Sequence, residues 1–79
     1  MDTKIEAELE LIFMAYFEKT KSGKTMLRLS NGREAQFFMT SLSPEDLEGI
    51  HEDDIVNVTV KADIFNSFNT RVVEISKQD

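Results

Sequence analysis

The chain opens on strict alternation. Ile5, Ala7, Leu9, Leu11, Phe13, Ala15 and Phe17 share one parity, while Lys4, Glu6, Glu8 and Glu10 hold the other. A period of two over this length predicts a half-buried strand from 4 to 17. Glu, Ala and Leu favour helix by intrinsic propensity, but helical spacing would scatter the odd positions around the whole circumference. From Ile12 the second face turns apolar as well, with Ile12, Met14 and Tyr16. The strand is expected to bend there and become covered, or to present a sticky face.

A polar turn follows, Lys19-Thr20-Lys21-Ser22-Gly23-Lys24. Alternation resumes over 25–30, with Leu27 and Leu29 expected inward and Met26, Arg28 and Ser30 outward. Asn31-Gly32 is a strong hairpin signal, read as a two-residue turn. Its partner strand runs over 33–40, with Ala35, Phe37 and Met39 assigned to the core face and Gln36, Phe38 and Thr40 to the outer face. Ser43-Pro44-Glu45-Asp46-Leu47 reads as a helix start, with Ser43 as cap, proline at the first position and acids in the first turn. Gly49 stops it within one or two turns. A fourth strand over 55–62 turns Val56, Val58, Val60 and Ala62 inward. Residues 63–69 read as a polar loop carrying Phe65 and Phe68. A last strand over 70–76 places Val73 and Ile75 inside. The expected core is therefore Leu9, Leu11, Phe13, Leu27, Leu29, Phe37, Val56, Val58, Val60, Val73 and Ile75.

Three strands, a short helix and two strands is the order of an OB-fold, a five-stranded Greek-key barrel with one short helix between strands three and four. A long first strand suits that fold, because it bends to serve both halves of the sheet. An SH3-like barrel is the nearest rival, but its helical turn precedes only one strand. The 79 residues suffice for one domain, residues 1–79, with a modest core.

The segments Met26-Leu27-Arg28-Leu29-Ser30-Asn31-Gly32-Arg33-Glu34-Ala35-Gln36-Phe37 and Ile50-His51-Glu52-Asp53-Asp54-Ile55-Val56-Asn57-Val58-Thr59-Val60 resemble the small nucleic-acid-binding OB domains. Bacterial translation initiation factor one and ribosomal-protein-type RNA-binding domains share this layout of strand, Asn-Gly turn, strand and a Gly-Asp-x-Val-x-Val lead into the fourth strand. Here Asp53-Asp54-Ile55-Val56-Asn57-Val58 stands in that place without the glycine. The size and the Gln36-Phe37-Phe38 segment are also similar to the short single-stranded-DNA-binding proteins of phages. Over residues 24–75 the resemblance implies a non-catalytic protein that binds single strands, DNA before RNA, as a small replication accessory.

Charge sharpens this expectation. The whole chain carries −6, from 9 basic and 15 acidic residues, which disfavours a phosphate-backbone binder. The distribution is polarised, however. Between 17 and 37, Lys19, Lys21, Lys24, Arg28 and Arg33 face only Glu18 and Glu34; between 43 and 54, Glu45, Asp46, Glu48, Glu52, Asp53 and Asp54 have no basic neighbour. On an OB barrel the first turn and the outer face of strands two and three form the ligand groove. The five cations are candidates to hold phosphates, and Tyr16, Phe38, Phe65 and Phe68 are candidates to stack bases. The bland alternatives are solvated lysines that balance the acids, and a Phe65 or Phe68 folded back to plug the barrel.

The acidic stretch 45–54 lacks calcium-loop spacing. It reads as a solvated helix start, or as a surface that docks a basic protein partner, which is the second functional reading. Exposed Ile12, Met14 and Tyr16 would suit a homodimer patch. No cysteine and one histidine, His51, leave no disulfide framework and no His/Cys metal set. Gly23-Lys24-Thr25 lacks the upstream glycine and the following helix of a phosphate loop. No nucleophile–base pair appears, so no enzyme, metal or cofactor is expected. No apolar run is long enough to span a bilayer as a helix, and Met1-Asp2-Thr3-Lys4 has no signal-peptide pattern; a cytoplasmic protein that does not enter membranes is the expectation.

Overall fold

A computed structural model describes residues 1–78, with the side chains of Ser67 and Phe68 outside the description. Five strands form it: β1 (Lys4–Phe17), β2 (Met26–Ser30), β3 (Ala35–Thr40), β4 (Ile55–Asp63) and β5 (Asn66–Lys77). They close into a barrel in the order β1-β2-β3-β5-β4. The expected helix is a single 3-10 turn over Pro44–Leu47. The Asp46 carboxylate accepts the Ser43 N–H at 2.8 Å and its hydroxyl at 3.1 Å, which holds that turn. Among the described residues no helix is long and apolar enough to cross a membrane.

β1 belongs to both halves of the barrel. Its first part pairs antiparallel with β4 from Lys4↔Asp63 to Ile12↔Ile55, and its last part pairs with β2 from Ile12↔Ser30 to Phe17↔Met26. Closure depends on a short parallel seam, Met39↔Arg71 and Thr40↔Val72, between β3 and β5. The Thr40 hydroxyl donates to the Val72 carbonyl at 2.7 Å and reinforces it.

The core is Phe13, Leu27, Leu29, Leu42, Val56, Val58 and Val72, with Leu11, Tyr16, Phe38, Leu47, Ile50, Val60 and Ile75 against it. Several inward or outward assignments from the alternation are corrected, Met39 among them, which shares the outer parity of Phe37. In β1 the register slips between Phe13 and Ala15, so Met14 is a bulge. One extra residue reverses parity. Tyr16, opposite Leu27, therefore turns inward, and Phe17 turns outward. In the β2–β3 hairpin the turn centres on Gly32-Arg33 rather than Asn31-Gly32. Asn31 N–H donates to the Glu34 carbonyl at 3.1 Å, and the Asn31 side-chain oxygen accepts from the N–H groups of Arg33 and Glu34. Gly32 sits at φ +95, where a side chain would be strained. A turn of even length puts Leu27 opposite Phe38 and Arg28 opposite Phe37, so Phe38 lies inside and Phe37 outside.

In β5 a second slip leaves Val73 between Val72, opposite Val60, and Glu74, opposite Thr59. Val72 thereby takes the core place expected of Val73. Leu9 remains 45% exposed although it lies opposite buried Val58; the β2–β3 hairpin reaches only to Ile12, so nothing covers Leu9. The loop expected over 63–69 contracts to a turn at Ile64-Phe65, because Asp63 already pairs with Asn66. Ile12 and Met14, expected to be exposed, are half-buried beside Tyr16.

The parity correction predicts unequal costs for two neighbouring phenylalanines. Phe38→Ala should destabilise by about 3 kcal/mol, and Phe37→Ala by about 1 kcal/mol or less, read from urea unfolding midpoints at constant slope. Equal losses would contradict the assigned faces.

Candidate nucleic-acid interface

The bulge at Met14 creates a surface. Phe17 and Phe37 meet on the outer face with ring centroids 5.8 Å apart and planes inclined at 50°. The Arg28 guanidinium lies 5.7 Å from the Phe37 ring centroid, within cation–π reach. Phe17 is 42% and Phe37 51% exposed. Three strands contribute: β1 supplies Phe17, β2 supplies Arg28 opposite Phe37, and β3 supplies Phe37. Met26 and Met39, also cross-strand partners, continue this outer row.

The expected cations lie at the two ends of this row. Lys19, Lys21 and Lys24 occupy the exposed turn between β1 and β2, next to Phe17. That turn is tied by Thr20 N–H to the Lys24 carbonyl at 2.8 Å and by Gly23 N–H to the Thr20 carbonyl at 2.7 Å. Arg33 is exposed in the β2–β3 turn at the other end, and Arg28 stands between them. No ion pair engages any of the five among the described residues.

The expected stacking rings fare differently. Tyr16 packs against the core, and its hydroxyl donates to the Leu42 carbonyl at 2.9 Å. Phe38 packs there too. Both are half-buried, and the outward orientation expected of them is corrected to packing against the core. Phe65 is 81% exposed, but it sits on the β4–β5 turn, whose Ile64 N–H bonds the Thr3 carbonyl at the start of β1. It makes no ring contact with Phe17 or Phe37. The Phe68 side chain lies outside the described residues. The residues that sequence reading missed are Phe17 and Phe37. Simple alternation gave them core parity; for Phe37 any hairpin turn of even length already sets odd positions of β2 opposite even positions of β3, whereas nothing in the sequence marks the bulge that turns Phe17 outward.

The acidic stretch 45–54 is partly occupied with structural work. Asp54 accepts the His51 N–H at 2.8 Å and lies 3.5 Å from Lys77. These contacts, the His51 N–H foremost, hold its carboxyl below the usual range. Asp53 N–H donates to the Phe13 carbonyl, and the Asp54 carbonyl accepts from Phe13 N–H, both at 2.8 Å. The segment thus clasps β1 one residue before the bulge. Among the described residues no group of three or more His, Asp or Glu is arranged to hold a metal ion.

No protein-family model, no curated protein and no solved structure matches the chain.

Tyr16 is the sole tyrosine, so its ionisation is readable in isolation. Burial first, then the charges of Glu18, Glu45 and Asp46, raise its pKa above the ordinary value of 10.0. An ultraviolet titration should give a midpoint above 10, higher than that of the urea-unfolded chain. A midpoint equal to the unfolded one would place the ring in open solvent, on the outer face that simple alternation assigned to it.

Proposed function

We propose that the chain is an OB-fold protein that binds single-stranded nucleic acid without chemistry, with DNA as the first ligand. The strand order β1-β2-β3-β5-β4, the shared first strand and the turn between β3 and β4 support the fold assignment. The observation that carries the function is the open Phe17–Phe37–Arg28 group on the outer face of the first three strands. Rings accept bases of any sequence, and stacking contributes about 1–3 kcal/mol per base. Lys19, Lys21, Lys24, Arg28 and Arg33 supply positive charge along the same row for phosphates. A small accessory protein of replication fits this non-catalytic reading.

The −6 charge of the whole chain opposes approach of a polyanion at long range. Binding is therefore weak at physiological salt and strengthens sharply as salt falls. The two contributions separate experimentally. In fluorescence-anisotropy titrations with labelled oligo-dT and oligo-rU, Lys21→Ala should shallow the log–log salt slope by about 0.7. Phe37→Ala should weaken binding by about 1–3 kcal/mol with the slope unchanged. Tyr16→Phe should leave affinity unaltered. Absence of an anisotropy change with either oligonucleotide at low salt would end this reading.

A further inference from the structure

The first half of β1 has an open edge. Pairing with β2 begins only at Ile12, and residues 4–11 pair with β4 alone. Backbone direction alternates along an antiparallel strand, so each residue sends its N–H and C=O to the same side. The Thr3 carbonyl accepts from Ile64 N–H, and both backbone groups of Phe13 bond Asp53 and Asp54, on the β4 side. Between those odd-numbered anchors the β1–β4 register is unbroken. The backbone groups of Glu6, Glu8 and Glu10 therefore point away from β4. The Lys4 N–H has the Asp2 carboxylate at 3.0 Å, so the bare run starts after it.

Side chains on this edge are two-faced. Ile5, 53% exposed, and Leu9, 45% exposed, lie on the inner side with Ala7, beyond the reach of the hairpin. Glu6, Glu8 and Glu10 line the outer side. Across the sheet Glu6 faces Lys61, but Glu8 faces Thr59 and Glu10 faces Asn57. Thr59 in turn lies opposite Glu74 and Lys61 opposite Arg71, so the outer side is acidic around Glu8 and Glu10 and carries cations beside Glu6.

We infer that this edge docks an extended segment of a partner protein in which apolar residues alternate with lysine or arginine. It would add a strand beside β1, bonding the three bare N–H and three bare C=O groups. Its apolar side chains would cover Ile5, Ala7 and Leu9, and its cations would stand opposite Glu6, Glu8 and Glu10. A second copy of this chain does not fit. A two-fold antiparallel pairing over the whole bare run would set Glu6 opposite Glu10 and Glu8 opposite Glu8, and directly opposed like charges destabilise a ladder.

The test uses the isotopically labelled full chain and a synthetic peptide of about seven residues alternating lysine and valine, long enough to run beside Ile5–Leu11. A glutamate–valine peptide is the control. At low salt the lysine peptide should shift the amide resonances of residues 4–11 and slow amide exchange at Glu6, Glu8 and Glu10. Binding should weaken about tenfold or more at roughly 0.5 M salt. Glu8→Pro removes a donor on the open side only, a place where strands tolerate proline. It should keep the barrel's resonances and lose at least about tenfold in affinity. The triple variant E6K/E8K/E10K should prefer the glutamate peptide. Equal binding of both peptides, shifts confined to residues 45–54, an unaffected Glu8→Pro, self-association of the wild type in place of peptide binding, or no binding at low salt would overturn the inference. Oligonucleotides enter none of these arms, so the nucleic-acid reading stands or falls separately.

Discussion

One inserted residue governs how this barrel presents itself. The bulge at Met14 reverses the parity of β1 after Phe13. Without it Phe17 would point at the core and Tyr16 at solvent. With it Tyr16 fills the interior and bonds Leu42, and Phe17 meets Phe37 outside. The acidic segment contributes to the bulge's position, because Asp53 and Asp54 bond both backbone groups of Phe13 just before it. Asp53 adopts φ +73 to do so, a conformation disfavoured for a residue with a side chain. Strain there, a bulge and an open aromatic pair lie within a few residues of one another, as is common where backbone geometry re-aims side chains toward a surface.

Strand length is the second constraint. β1 spans 14 residues and β2 only 5. The excess of β1 cannot be covered by the hairpin, and the strand consequently carries different surfaces at its two ends. Its C-terminal end joins a lysine-bearing turn and an aromatic row. Its N-terminal half joins apolar residues to three glutamates along an open edge. A chain this short has little core from which to cover such an edge, and charge is the usual alternative to cover. The same charge that discourages self-pairing selects what the edge accepts.

Much of this was legible in the alternation. Strand number, strand order and the inward places of Phe13, Leu27, Leu29, Val56 and Val58 follow from a period of two and from the turn residues. What escaped was parity after a bulge. Met14 and Val73 are apolar residues within apolar runs, so no break in pattern marks either slip. At Phe37-Phe38 two identical side chains stand side by side, and hydrophobicity cannot choose between them; only pairing with Leu27 and Arg28 does. The cations were found correctly as exposed residues because charge resists burial whatever the register. The rings beside them were misplaced because aromatic side chains suit either face. Leu42 was missed because it enters the core from a segment outside any strand.

The most direct measurement follows the aromatic resonances of the selectively labelled chain during titration with oligo-dT at low salt. The bulge turns Phe17 outward and Tyr16 inward, and the β2–β3 register turns Phe37 outward and Phe38 inward. The rings of Phe17 and Phe37 should therefore shift together with the Arg28 side chain, while those of Tyr16 and Phe38 stay in place. Shifts at Tyr16 and Phe38 with Phe17 and Phe37 unmoved would contradict the account.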